Sequence, residues 1–172
     1  MSQKDSVSEN RFKIKSMAPE YIESYYEALD TVAHEEKYLA FVKAPSRNEV
    51  EEFVRYNLDR DQVMIVALEG EKVIGWCDII THQLPGFTHS GRLGMGIVCE
   101  YRRIGIGSRL LREAINRAEN KGLIKIELEV FSSNIGAINL YKKYGFVFEG
   151  RKSRARYFKG KFEDVDLMAL FI

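Results

Sequence analysis

The 172-residue chain has little of what marks a disulfide scaffold, a metalloprotein or a membrane span. It has two cysteines, Cys77 and Cys99, too few for a disulfide framework and not arranged as a Cys-x-x-Cys metal pair. Its three histidines, His34, His82 and His89, are scattered and lack zinc-ligand spacing. No apolar run is long enough to cross a bilayer. Excess charge of one sign is absent too: 26 Lys and Arg against 25 Asp and Glu leave a net charge of +1. No strong overall field therefore draws the chain to nucleic acid or an anionic membrane. The expectations are no metal, no nucleic-acid partner and no membrane partner. Residues Met1 to Asn10 are polar, lack an apolar signal-peptide core and read as a loose tail. A cytoplasmic protein is the expectation.

What is present suits a globular domain. The chain is 45% hydrophobic and 30% charged, and residues 11–172 are enough for one domain with a substantial core. Arg11 to Lys15 alternates as a strand, and Ala18 to Leu29 reads as a helix with Pro19 near its start. Thr31 to Pro45 is looser. Ser46 opens a second helix, with Glu49 completing a capping box and Phe53, Val54 and Leu58 on the expected inner face. Val63 to Leu68 and Val73 to Ile80 are apolar strands joined by the hairpin Glu69-Gly70-Glu71-Lys72. Leu84 to Ser90 is a loop, and Arg92 to Cys99 a further strand. Ser108 to Lys121 is a helix with an apolar stripe and Gly122 as its stop. Ile124 to Val130 alternates as a strand, Asn134 to Tyr144 is a helix ended by Gly145, and strands follow around 146–157 and 163–171. This order predicts an α/β (mixed α+β) domain of about seven strands and four helices around a partly antiparallel sheet. Three consecutive strands argue against a doubly wound nucleotide fold.

The most informative stretch is Arg102-Arg103-Ile104-Gly105-Ile106-Gly107, where a glycine turn opens a helix. Unpaired backbone N–H groups and the positive end of the helix dipole bind phosphate at such a place. Arg102, Arg103, Arg109 and Arg112 could add a local basic patch. Three readings compete. The glycines could serve only a tight strand-to-helix connection. They could form a dinucleotide-binding turn, with Glu127 near the distance of a ribose contact, but Leu110 stands at the third glycine position. A Walker loop is excluded because no Gly-Lys-Ser/Thr follows.

The third reading uses more of the chain. Arg102 to Gly107 fits Arg/Gln-x-x-Gly-x-Gly/Ala at every specified position. Asn134, Ala137, Leu140, Tyr141, Gly145 and Phe146 fit Asn-x-x-Ala-x-x-Leu-Tyr-x-x-x-Gly-Phe. In both blocks the sequence resembles the GCN5-related N-acetyltransferase (GNAT) family, firmest from Arg92 to Phe148. The C-terminal stretch from Glu149-Gly150-Arg151 resembles its phosphinothricin-type amino-acid acetyltransferases. Leu128-Glu129-Val130 with Asn134 resembles its ribosomal-protein alanine acetyltransferases.

The resemblance implies acetyl-CoA as cosubstrate and a small primary amine or amino acid as acceptor, with no metal. The acceptor could instead be a protein N-terminus or lysine, or the domain could bind acetyl-CoA without catalysis. A homodimer is left open. Arg102, Arg103, Ile104, Gly105, Ile106, Gly107 and Ser108 would surround the pyrophosphate. The backbone of Gly96, Ile97 and Val98 would pair with pantetheine on a strand splayed from the next. Cys99 is read as a small buried residue. Asn134 would cap its helix or touch CoA, and Asn139 would touch CoA or face solvent. Tyr141 would protonate the thiolate, since a phenol has an unperturbed pKa of about 10; alternatively it packs in the core. Glu129 would take the amine proton or merely line a polar sheet face, with Asp78, His82 and His89 as lesser candidates. Thr31 to Tyr38 and Leu84 to Ser90 would shape the acceptor site. Glu35 or Glu36 could attract its amine there.

Overall fold

The computed structural model describes residues 11–172; the tail expected over residues 1–10 lies outside them. Seven strands run β1 (Lys13–Ser16), β2 (Val63–Glu69), β3 (Lys72–Thr81), β4 (Ser90–Ile97), β5 (Lys125–Phe131), β6 (Val147–Phe158) and β7 (Lys161–Phe171). Four α-helices accompany them: α1 (Ile22–Ala33), α2 (Arg47–Asp59), α3 (Ile106–Asn120) and α4 (Ile135–Lys143). The sheet order is β1-β2-β3-β4-β5-β7-β6. β1 pairs antiparallel with β2, β7 pairs antiparallel with both β5 and β6, and β4 pairs parallel with β5. The mixed, partly antiparallel sheet expected from the sequence is present.

The chain divides into two compact units. One comprises the described residues up to Asp78 together with Met95–Ala114. Its core comes from the buried run Val63 to Leu68 of β2, from Ile74, Trp76 and Cys77 of β3, and from Ile106, Leu110 and Leu111 of α3. Val73 N–H donates to Ser24 Oγ at 2.8 Å, which ties α1 to β3. Ser46 and Glu49 form the expected capping box at the start of α2, with Ser46 N–H donating to Glu49 Oε2 at 2.8 Å.

The other unit comprises Ile79–Gly94 and Ile115–Ile172. Ile126, Leu128 and Val130 of β5 are buried with Met168 and Ala169 of β7, whose register pairs Leu128 with Met168. Ser132 Oγ donates to Asp166 Oδ1 at 2.6 Å, and Arg151 Nε to the same oxygen at 2.6 Å. This holds the turn after β5, where Asn134 Oδ1 accepts from Ala137 N–H and caps α4.

Three details depart from the sequence reading. The first helix opens as a 3-10 turn, Pro19–Tyr21, and its α-helical part runs on to Ala33. Of the expected inner face of α2, Val54 is buried and Leu58 half-buried, but Phe53 is 42% exposed; the helix buries Val50, Val54 and Asn57. Those three follow the i, i+4, i+7 face, and Phe53 lies beside that stripe. Cys99 is exposed, because β4 ends at Ile97 and Cys99 opens a 3-10 turn, Cys99–Tyr101.

Gly96 is required by a close approach. A Cβ there would lie 2.5 Å from Trp76 Cζ2, and the indole is itself 4% exposed and edge-on to Tyr25. Gly96→Ala should therefore lower stability by about 1–3 kcal/mol through overpacking. In a Trp76→Leu background the same change should cost much less. Denaturant unfolding of the four proteins measures the coupling, and an additive pair would contradict this packing.

Candidate active site

The glycine turn is shaped by its backbone. Arg103 has φ 61° and Gly105 φ 90°. Both are left-handed, a conformation glycine adopts freely and arginine at a cost of roughly 1–2 kcal/mol. The N–H groups of Arg103 to Gly107 have no backbone acceptor among the described residues, and the first turn of α3 closes with Arg109 N–H on Gly105 C=O at 3.1 Å. Arg103, Ile104 and Gly105 are exposed, and Gly107 and Ser108 half-buried. Unsatisfied donors on a left-handed turn at the N-terminus of a fifteen-residue helix form an anion cradle. These residues fit a pyrophosphate.

Arg102 is engaged within the protein. Its Nη1 donates to Glu35 Oε2 at 2.8 Å, its Nη2 to Glu35 Oε1, and its Nε to Ile97 C=O at 2.8 Å. The guanidinium carbon lies 4.6 Å from the centre of the Tyr38 ring. Arg102 thus fastens the segment after α1 to the end of β4 and the start of the turn. The same geometry accounts for Glu35, read from sequence as a candidate amine contact: its carboxylate is held by Arg102. Arg109 Nη2 likewise donates to Phe12 C=O at 3.1 Å. Arg103 remains the exposed arginine of the turn.

On β4, Gly96 and Ile97 are half-buried and Val98 lies just past the strand. Val98 N–H donates to Ile74 C=O at 3.0 Å, and its carbonyl accepts from Tyr101 N–H at 2.9 Å. The β4–β5 register pairs Ser90 with Lys125, Gly91 with Ile126 and Arg92 with Glu127.

In the second unit, Tyr141 is 6% exposed on α4, its ring 5.6 Å from that of Phe146. Asn139 is exposed. Glu129 accepts from Lys152 at 2.8 Å and lies 3.4 Å from Arg92. Glu127 meets His82 Nε2 at 2.6 Å and Lys125 at 3.5 Å. Burial opposes ionisation of Glu127, yet His82 and Lys125 hold its carboxyl below the usual range. The two glutamates of the alternating strand thus have separate cationic partners. His89 is exposed.

Asp78 stands apart from these carboxylates. It is half-buried on β3 and has no hydrogen-bond or ion-pair partner among the described residues. Burial pushes its carboxyl up from 3.8 to about 7. A shallow depression elsewhere, lined by Glu49, Glu52, Phe53, Arg55 and Tyr56 of α2, holds no group fitted to acyl transfer. No described helix is long and apolar enough to cross a membrane. The described residues contain no cluster of three or more His, Cys, Asp or Glu side chains fit for a metal ion.

Comparison with known proteins agrees with this geometry. The model of the acetyltransferase (GNAT) family matches residues 18–146. The chain belongs to that family. It is 33% identical over 107 residues to the L-amino acid N-acetyltransferase AaaT of Escherichia coli, covering 62% of this chain and 65% of that one. It is 36% identical over 126 residues to an N-alpha-acetyltransferase of Sulfurisphaera tokodaii, covering 68% of this chain and 74% of the relative. A crystal structure of a GNAT-family acetyltransferase from Streptococcus pneumoniae superposes with TM-score 0.87 at 31% identity, covering 94% of this chain and 99% of that one.

Two outcomes test the framework of the site. Glu35→Gln should destabilise the protein by about 1.5–3 kcal/mol, the range for a hydrogen bond to a charged group. Unchanged denaturant stability would mean that Arg102 does not depend on Glu35. Asp166 is held below the usual carboxylate range, first by its hydrogen bond from Arg151, with Ser132 adding to it. Its stabilisation should be complete above its ordinary pKa of 3.8 and fade as pH falls through the depressed folded value. Thermal melts of Asp166→Asn and the parent should therefore differ at pH 5 and converge below pH 3.8; a constant gap would contradict the ion pair.

Proposed function

We propose that this chain is an acetyl-CoA-dependent N-acetyltransferase that moves an acetyl group directly to a primary amine of a small molecule or amino acid. The observation that carries this reading is the left-handed turn at the start of α3, with the N–H groups of Arg103 to Gly107 unclaimed, in a GNAT-family sequence. Acetyl-CoA supplies an acyl carbon activated as a thioester. Arg103 to Ser108 hold its pyrophosphate, and Arg103 adds charge. Arg102 acts on the site by fixing the turn through Glu35 and Ile97 rather than by reaching the phosphates. Gly96, Ile97 and Val98 supply backbone toward pantetheine. Asn134 keeps its capping role and Asn139 offers an exposed amide to CoA. Tyr141 gives its proton to the departing thiolate; a phenol keeps that proton near neutral pH. Glu129 is a candidate acceptor of the amine proton, with its charge already shared by Lys152 and Arg92. A cytoplasmic location belongs to this reading.

The likeness to an L-amino acid N-acetyltransferase favours a free α-amine as acceptor. The likeness to an N-alpha-acetyltransferase keeps a peptide N-terminus as the second acceptor class. Thiol release from acetyl-CoA with amino acids, polyamines and peptides separates the two. Binding without turnover would favour a sensing module instead.

Gly105→Val places a β-branched residue at φ 90° and should weaken acetyl-CoA binding at least tenfold in a folded protein, read by calorimetry. Unchanged affinity would remove the cradle. Tyr141→Phe should lower turnover by about 10²–10⁴-fold, the usual worth of a general acid, with acetyl-CoA affinity retained. Turnover within twofold of the parent would leave Tyr141 as a packing residue.

A further inference from the structure

Asp78 is the one described carboxylate in a position to accept a proton near neutral pH and left without an internal partner. On β3 it lies two residues beyond Trp76 and therefore on the same face of the strand. The Trp76 indole covers Gly96 on β4, and its edge meets the Tyr25 ring of α1 at 5.6 Å between centroids. Trp76 and Tyr25 are each 4% exposed, so they form an apolar wall beside the acid. Val98 N–H on Ile74 C=O fixes the alignment of β3 with β4 there. Asp78 is thus on the strand bonded to the segment that leads into the glycine turn.

The charged and titratable groups around Asp78 are few. Tyr25 faces it from α1 and Cys77 adjoins it along β3; burial first, and then the Asp78 charge, raises the pKa of both. No cation pairs with Asp78 among the described residues, and the Tyr25 hydroxyl likewise has no hydrogen-bond partner there. The Asp78 carboxylate on β3 and the Tyr25 hydroxyl on α1 thus lie together without a protein partner among the described residues, beside the segment read above as carrying pantetheine, and suit a ligand that brings donors and positive charge. Glu129, by contrast, already has Lys152 and Arg92.

We propose, resting on the acetyltransferase reading, that Asp78 binds the ammonium of the acceptor and removes its proton before attack. An Asp78 oxygen takes one proton from R–NH3+. The freed lone pair forms the C–N bond to the thioester carbonyl carbon, and the C–S bond breaks. The thiolate leaves with its electron pair and is protonated to the thiol, while the second amine proton is lost as the amide forms. One proton is released to solvent overall. Tyr25 and Trp76 act as positioning residues that keep water from the carboxylate. A carboxyl titrating at about 7 is matched to a base working near neutrality.

The same burial has a readout independent of turnover. A carboxyl raised from 3.8 to about 7 binds more protons folded than unfolded in that window, so stability falls as pH rises through it. Asp78→Asn should raise Tm at pH 8 relative to the parent more than it does at pH 4.

The test uses the full chain, acetyl-CoA and the amine that gives the highest parent turnover, over pH 5.5–9. For Asp78→Asn the expected result is a loss of at least 100-fold in kcat/KM, disappearance of the inflection near pH 7, and unchanged acetyl-CoA affinity by calorimetry. Asp78→Glu should recover part of the rate and keep an inflection, which separates the charge from the fold. A rate within twofold of the parent with the inflection intact in Asp78→Asn would overturn the proposal. So would a full inflection in Asp78→Asn that vanishes in Glu129→Gln. A parent that binds acetyl-CoA but acetylates no amine would overturn the acyl-transfer reading itself, and its Tm comparison would still report whether burial disfavours the Asp78 charge.

Discussion

The turn at the start of α3 depends on one side chain that bonds in three directions. Arg102 holds both carboxylate oxygens of Glu35 and the carbonyl of Ile97, with its face on Tyr38. Immediately after it, Arg103 is left-handed at φ 61°. An L-residue holds that conformation only when its surroundings over-determine it. Arg102 supplies that determination from one side, and the helical hydrogen bond from Arg109 to Gly105 supplies it from the other. The turn is therefore preorganised by contacts outside it, and an anion bound there would meet a lower ordering cost.

This changes how the arginines of the signature divide their work. Two adjacent arginines before a glycine turn read equally as phosphate ligands. In the folded chain one is internal wiring and the other is exposed. Electrostatic attraction toward an anion then rests on backbone N–H groups, the α3 dipole and Arg103. Glu35 neutralises the charge that Arg102 would otherwise present. The segment after α1 is joined to the turn by the same bonds, so what moves that segment acts on the turn as well.

The fold was legible because its signals are local. Alternation in β5, the apolar stripe of α3, the Ser46–Glu49 capping box and the Asn134 cap each need only a few neighbouring residues. The candidate site was read from signals of the same kind: the glycine turn and the Asn134-to-Phe146 block are short and contiguous. What the sequence hid is long-range. Glu35 and Arg102 are 67 residues apart, and nothing local in the run Glu35-Glu36-Lys37 marks Glu35 as paired. His82 and Glu127 meet across 45 residues. Cys99 looked buried because it continued a strand pattern, yet the strand ends at Ile97 and the next turn lifts Cys99 to the surface. Asp78 sat inside an apolar run, where an acid is either paired or functional; only the folded chain shows that it is unpaired.

The central claim is that the α3 turn holds the pyrophosphate of CoA. Its most direct measurement compares calorimetric affinities of CoA and of pantetheine, which shares the thiol arm and lacks the pyrophosphate. The account predicts that CoA binds at least 100-fold more tightly, with the difference shrinking as salt is raised because an anion is being held. Equal affinities for the two ligands would contradict it.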